Sequence, residues 1–167
     1  MSLNPPTFKE KIMEYVPIKN KHNPLYGLSY DQVKESIKDN PFYLRYVHNK
    51  TDELCKIALE KNGNAIKYVP VQTDELCKIA VQTSGTSIIY VINQTDEICK
   101  LALKQSCNAL FYCKVKTKEL CILAVQDDYF DLEVLGYIPD EFIEECLTFV
   151  DKTLFEENDL DAPLIAK

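Results

Sequence analysis

The chain has 167 residues, 46% hydrophobic and 27% charged, which is typical of one folded domain rather than of a disordered segment. It contains no apolar run approaching the roughly 18 residues needed to cross a bilayer, which argues against insertion into a membrane. Residues 1–138 hold equal numbers of acids and bases, and the formal charge of −7 comes from the acidic C-terminal end, so we expect no nucleic-acid and no membrane-surface partner.

The first segment, residues 1–28, is predicted to form an N-terminal cap. Prolines and lysines near its start do not fit a signal peptide. Residues 14–17 resemble the ending of a later unit, residues 67–70, which indicates a degenerate half-unit. We therefore expect this segment to cover the first face of the structure that follows.

A 22-residue repeat occupies residues 29–138. The sequence Thr-Asp-Glu-Leu-Cys-Lys-Ile-Ala-Leu starts at Thr51 and recurs with few changes at Thr73, Thr95 and Thr117, and a divergent unit precedes it at 29–50. Self-similarity at a fixed period of this length is the sequence signature of a solenoid. The prediction is five stacked repeats within one domain.

Each unit is predicted to begin with a helix. Thr51 is a good N-cap residue, and Asp52 follows where the positive end of the helix dipole favours a carboxylate. Asp52 and Lys56 stand at i and i+4, in the order that stabilises a helix. Asn62 and Gly63 are expected to end the helix in a left-handed C-cap conformation.

The second segment of each unit, exemplified by residues 65–69, is apolar and is stopped by Pro70. Positions 65, 66, 68 and 69 fit one helical face better than strict alternation. We predict an all-α fold, an α-solenoid of stacked helix-turn-helix repeats with period 22. The alternative is a leucine-rich-repeat-like α/β solenoid, since the segment 88–92 also has strand propensity.

The chain ends in a predicted capping helix, residues 139–155, followed by an acidic tail, residues 156–167. Phe142, Ile143 and Leu147 can cover the last repeat while Glu141 and Glu144 face water. Terminal repeats need such a one-sided apolar surface.

The repeat resembles an uncharacterised 22-residue helical repeat family of the Thr-Asp-Glu-Leu-Cys type. The resemblance covers residues 29–150, and the first unit departs from the pattern with Val33 in place of the cysteine and Pro41 in place of the turn glycine. The family occurs in giant DNA viruses and in effectors of intracellular bacteria. The resemblance implies a helical repeat fold and a viral or pathogen source, and it implies no known activity.

Stacking at a constant period aligns equivalent residues in rows. The cysteine row is Cys55, Cys77, Cys99 and Cys121, and the tyrosine row is Tyr46, Tyr68, Tyr90 and Tyr112. Packed helices lie about 8–10 Å apart, whereas a disulfide needs Cα atoms within about 7 Å. We therefore predict buried free thiols, no metal and a reducing intracellular compartment, which is the host cytoplasm for a viral or effector protein. The tyrosines are expected to pack the seam between helices.

The remaining features favour binding over catalysis. No nucleophile turn, phosphate-binding glycine loop or histidine cluster is present, so we expect no catalytic residues and no cofactor. Positions that vary between units are free for binding, and one such row forms a candidate protein-binding stripe: Arg45, Lys67, Ile89 and Phe111. The alternative is that the first helices line the inner curve and this stripe is ordinary convex surface.

The sequence thus predicts a non-catalytic repeat scaffold for protein-protein interaction. Two other classes stay open: a structural or self-associating component that forms homo-oligomers, and an enzyme, which would need a closed polar pocket.

Overall fold

The computed structural model describes residues 22–127 and 129–150. The predicted half-unit at 14–17, residues 151–155 of the predicted capping helix and the acidic tail at 156–167 lie outside the described residues. Within the described residues the capping helix spans Asp140–Leu147 and so ends earlier than predicted.

Short helices follow one another along the described chain, and none of the described residues forms a strand. The α-helices are α1 (Tyr30–Asp39), α2 (Asp52–Lys61), α3 (Asp74–Thr83), α4 (Asp96–Leu103), α5 (Ala109–Tyr112), α6 (Lys118–Val125) and α7 (Asp140–Leu147). The 3₁₀ helices are η1 (Pro41–Tyr46), η2 (Gly63–Tyr68), η3 (Gly85–Tyr90) and η4 (Leu132–Tyr137). The predicted all-α repeat solenoid is confirmed, and the leucine-rich-repeat-like alternative is wrong.

The helices stack in two rows. We name α1, α2, α3, α4, α6 and α7 the first-helix row, and η1, η2, η3, α5 and η4 the second-helix row. Each helix contacts its neighbours in its own row and the helix of the other row in its unit. The apolar core lies between the rows and runs continuously from Leu25 to Val150.

The first helices begin where the sequence predicts. The hydroxyls of Thr51, Thr73, Thr95 and Thr117 each accept a hydrogen bond from the backbone N–H three residues later. Such a bond satisfies one of the N–H groups that a helix leaves free at its start. The N-cap prediction is therefore confirmed for all four units.

The predicted left-handed C-cap at 62–63 is wrong. Asn62 is extended (φ −155°, ψ 113°), and its side chain caps the next helix by accepting from the N–H of Asn64. Among the described glycines only Gly27 has a positive φ, of 77°. Gly63 is needed for a different reason: a Cβ there would lie well inside van der Waals contact with the carbonyl oxygen of Ala80 in the next unit. The glycine allows close packing between repeats.

Side chains do occupy this position elsewhere in the stack. Gly85 faces the carbonyl of Ala102 as Gly63 faces that of Ala80, but Pro41 and Cys107 stand at the equivalent positions of the first and fourth units, and both are buried. The requirement for glycine is therefore set by how closely the following unit approaches.

The second helices are mostly 3₁₀ rather than α. With about three residues per turn, residues at i, i+3 and i+6 line one face. Gly63, Ile66 and Val69 are accordingly buried, while Lys67 and Pro70 are exposed. This periodicity fixes which residue of each second helix faces solvent.

The fifth unit keeps the 22-residue length but moves its second helix. The second helices end at Tyr46, Tyr68, Tyr90 and Tyr112 at intervals of 22, whereas η4 ends at Tyr137, 25 residues later. Pro139, the N-cap of α7, then follows almost at once. Compared with the other units, the fifth unit therefore has three more residues before its second helix and three fewer after it.

Candidate functional site

The candidate stripe lies on the second-helix row. Arg45, Lys67, Ile89 and Phe111 each occupy the next-to-last position of a successive second helix. All four are exposed, Ile89 to 49% and Phe111 to 55%. The structure therefore brings the four predicted residues to one side of the stack, in consecutive units.

Lys67 is surrounded by aromatic rings from three consecutive units. Its ammonium lies 5.0 Å from the ring centroid of Phe42, 5.1 Å from that of Tyr68 and 5.5 Å from that of Tyr90. A cation within about 6 Å of a ring face is attracted by the ring quadrupole. The guanidinium of Arg45 lies over Tyr46 in a similar way, at 4.8 Å. The basic half of the stripe is thus built from paired cations and rings.

The apolar half of the stripe continues into the fifth unit. The ring of Phe111 packs against Tyr112 and against Tyr137, with centroids 4.9 Å apart in both cases. Tyr137 was not predicted as part of the site, because a strict period of 22 places Val134 in the tyrosine row. The signal was present, since residues 135–138, Leu-Gly-Tyr-Ile, are a conservative variant of the Ile-Lys-Tyr-Val of residues 66–69.

The tyrosine row lies beside the stripe. Tyr46, Tyr68 and Tyr112 are half-buried and pack against the core, and Tyr90 is 37% exposed. Each ring therefore contributes an edge or a face to the surface on which the stripe lies.

Two glutamines, which the sequence analysis also missed, join consecutive units behind this surface. Gln72 donates from Nε2 to the carbonyl oxygen of Tyr90 (2.9 Å) and accepts at Oε1 from the N–H of Ile92 (2.9 Å). Gln94 repeats both bonds one unit later, with Tyr112 (3.1 Å) and Lys114 (2.8 Å). We name these two side chains the glutamine clamps.

The clamps align the loops that follow the second helices. Those loops carry apolar side chains that point to solvent: Val71 is 71% exposed, Ile92 70% and Val115 69%. Together with Ile89 and Phe111 they make this edge of the molecule richer in exposed aliphatic and aromatic side chains than the sequence analysis anticipated.

The cysteine row lies in the core between the two helix rows. Cys55, Cys77, Cys99 and Cys121 are all buried and free. Burial raises the pKa of Cys55 and of Cys121 to about 11. The reactive form of a thiol is the thiolate, so Cys55 and Cys121 are poorly suited to nucleophilic chemistry.

One cysteine contact was not predicted. The Cys113 thiol donates to the carbonyl oxygen of Ala109 (3.4 Å), and its interaction with the Cys99 thiol together with burial raises the pKa of Cys113. Cys113 stands where Val69 and Val91 stand in earlier units, so the contact joins the two helices of one unit. No group of three or more His, Cys, Asp or Glu side chains among residues 22–127 and 129–150 could hold a metal ion.

The first-helix row carries the ion pairs. Lys56 pairs with Glu75 (2.7 Å) and Lys78 with Glu97 (2.8 Å), each across a unit boundary. The expected pair within α2, between Asp52 and Lys56, is not the one that forms. A long lysine side chain reaches the next helix of the stack as easily as the next turn of its own helix.

The same row contains a shallow groove of about 480 Å³ between α1 and α2. It is lined by Lys34, Lys38, Asp52, Glu53, Lys56, Ile57 and Glu60. The carboxylate of Glu53 is already bound by Lys34 and by the hydroxyl of Tyr30. The groove is therefore a solvated set of ion pairs rather than an enclosed catalytic pocket.

None of the described helices is both long and apolar enough to span a membrane.

Comparison with known proteins gives one match. A family model described as a domain of unknown function (DUF4116) matches residues 30–72, which include α1, η1, α2 and η2. No curated protein and no solved structure matches the chain. The chain is thus similar to this domain over its first two units.

Proposed function

We propose that the protein is a non-catalytic repeat scaffold that binds another protein through the second-helix row. The observation that carries this proposal is the exposure of Ile89 and Phe111 at equivalent positions of consecutive units, in a row whose residue type varies from unit to unit. Residues that only serve the stack, such as Leu54 and Ala58, are instead nearly constant between units and buried.

Several features support a binding role over an enzymatic one. The described cysteines are buried, several acidic residues of the first helices, such as Glu75 and Glu97, pair with lysines, and the groove beside them is open. Protein interfaces are typically centred on aromatic and arginine side chains with a polar surround. The second-helix row supplies residues of these types, Phe111, Tyr90 and Arg45, all of them exposed.

The resemblance to repeat proteins of giant viruses and intracellular-bacterial effectors supports a partner in a host cell. Seven cysteines in free form support a reducing, intracellular site of action, and we propose the host cytoplasm.

The test is an affinity pull-down from host-cell lysate that compares the native chain with Ile89→Lys/Phe111→Lys. The matched control is Phe149→Lys, which removes an aromatic side chain of similar exposure (45%) away from the second-helix row. A partner retained by the control and lost from the double variant, with helicity unchanged by circular dichroism, is the expected result. A partner that both variants retain would place binding elsewhere.

Self-association through the same side chains is the competing explanation. Light scattering over a range of concentrations separates the two. We expect a monomer whose mass does not depend on concentration, whereas a dimer that Ile89→Lys/Phe111→Lys dissolves would favour a structural, homomeric role.

A further inference from the structure

The two helix rows differ in charge, although residues 1–138 are neutral as a whole. The second helices with their following loops, residues 41–50, 63–72, 85–94 and 107–116, contain no Asp or Glu. Their charged residues are all basic: Arg45, Lys50, Lys67, Lys114 and Lys116. The acidic residues of these four units lie on the first helices, where neighbouring lysines pair with them. The solenoid therefore presents an acid-free, cationic edge over its first four units, and the fifth second helix, η4, differs in carrying Glu133.

This edge is apolar as well as cationic. Val71, Ile92 and Val115 project from its loops with about 70% of their surface exposed, and Ile89 and Phe111 project from its helices. A ligand that satisfies both properties carries negative charge and aliphatic side chains together. An acidic peptide segment has that chemistry.

Single-stranded nucleic acid fits the edge less well. Proteins bind it by stacking bases on free aromatic faces. Here the faces of Phe42, Tyr68 and Tyr90 that surround Lys67 are already engaged by its ammonium. The most exposed apolar side chains of this edge, Val71, Ile92 and Val115, are aliphatic, and an aliphatic side chain offers no stacking surface.

The spacing of the repeats indicates the conformation of the peptide. Packed helices lie about 8–10 Å apart. An extended or polyproline II chain advances about 3.1–3.3 Å per residue, so three of its residues span one unit. In polyproline II every third side chain also points in the same direction, and positions i, i+3, i+6 and i+9 would meet four consecutive units.

We propose that the second-helix row binds an extended acidic peptide with one recognition residue in every three. Two acidic residues would lie against Arg45 and Lys67, and two apolar residues would lie against Ile89 and Phe111. This inference rests on the proposed function, for which it names the class of ligand.

The probe is a fluorescein-labelled peptide, Asp-Ala-Pro-Asp-Ala-Pro-Leu-Ala-Pro-Leu, titrated with the full chain and followed by anisotropy. The spacing control has the same composition in another order, Asp-Ala-Asp-Pro-Leu-Ala-Leu-Pro-Ala-Pro. The charge control replaces both aspartates of the probe with lysine. We expect the probe to bind more tightly than either control and to weaken as salt screens the charges.

The matched protein variants are Arg45→Glu/Lys67→Glu and Lys61→Glu/Lys104→Glu. Both change the net charge equally, but Lys61 and Lys104 are exposed at the ends of first helices. Arg45→Glu/Lys67→Glu replaces two attractive contacts with the probe's aspartates by repulsive ones, so it should weaken probe binding about tenfold or more. Lys61→Glu/Lys104→Glu should not weaken probe binding. Arg45→Glu/Lys67→Glu should also gain affinity for the lysine peptide, a result that simple unfolding cannot produce.

Three results would overturn the inference. The first is equal affinity for the probe and the spacing control, and the second is an equal loss of probe affinity in the two charge-reversal variants. The third is displacement of the labelled probe by a ten-nucleotide oligothymidylate at a lower concentration than by unlabelled probe. If no probe binds while the lysate partner is still lost from Ile89→Lys/Phe111→Lys, the peptide inference fails and the proposed function stands. If neither a probe nor a lysate partner binds, both fail.

Discussion

Removal of one glutamine clamp should destabilise the stack measurably. In Gln72→Ala, the carbonyl of Tyr90 and the N–H of Ile92 each lose a hydrogen bond of 2.9 Å, and the longer bond of 3.4 Å to the carbonyl of Ile66 is also lost. A hydrogen bond contributes about 1 kcal/mol net, and the long bond contributes little. The expected loss in the free energy of unfolding is therefore about 2 kcal/mol, or roughly 4–8 °C in Tm for a chain of this size.

Urea and thermal denaturation followed by circular dichroism measure this loss. Gln82→Ala is the matched control, because Gln82 is an exposed residue of α3 in the following unit and alanine is a good helix former there. A second variant, Gln72→Glu, keeps an acceptor for Ile92 but sets a carboxylate against the carbonyl of Tyr90, so it should destabilise at least as much. Hydrogen exchange at the Ile92 amide should accelerate in Gln72→Ala and not in the control. Equal stabilities of Gln72→Ala and Gln82→Ala, within about 0.5 kcal/mol, would refute the reasoning.

The remaining predictions concern backbone approach, an unpaired hydroxyl and pH. Gly63→Ala should lower the free energy of unfolding by about 1–3 kcal/mol, measured by urea denaturation, because the new Cβ would meet the next unit. Gly136→Ala should be neutral or slightly stabilising, since nothing lies within 4 Å of a Cβ built there. Equal losses in the two variants would contradict the packing argument. Ser87→Ala should raise Tm, since the buried Ser87 hydroxyl has no hydrogen-bond partner within the described residues; a lower Tm would count against this. The pKa values of Cys55 and Cys121 are raised from 9.0 to about 11, so their contribution to stability is complete below pH 9 and is lost as pH rises towards 11. Urea midpoints across that range should fall less in Cys55→Ala/Cys121→Ala than in the native chain.

The parts of the fold that depend on neighbouring residues in the sequence could be predicted. Thr51 and its equivalents cap their own helices, so one unit contains all the information required. Gly63 shows the limit of that reasoning. Its residue type correctly indicates a special backbone position, but the reason lies in Ala80 of the next unit, and no local pattern shows how closely two units approach.

The residues of the candidate site also fall into two groups, those that could be predicted from the sequence and those that could not. Comparison of units located the stripe, because a variable position within a constant frame is visible in the sequence. Gln72 was missed because its partners, Tyr90 and Ile92, lie 18 and 20 residues away and contribute only backbone atoms. Tyr137 was missed because the displacement of η4 leaves the overall period of the fifth unit unchanged. Contacts that cross unit boundaries are invisible to a search that treats each unit alone.

The glutamine clamps also determine the order in which units can be stabilised during synthesis. Gln72 closes on backbone groups that the ribosome adds 18 and 20 residues later, and Gln94 does the same with Tyr112 and Lys114. During synthesis from the N-terminus, each of these units must wait for nearly one full period of new chain before its lock can engage. A translational pause just after residue 72 or residue 94 would therefore leave the newly completed unit without its clamp until about 20 further residues had been added.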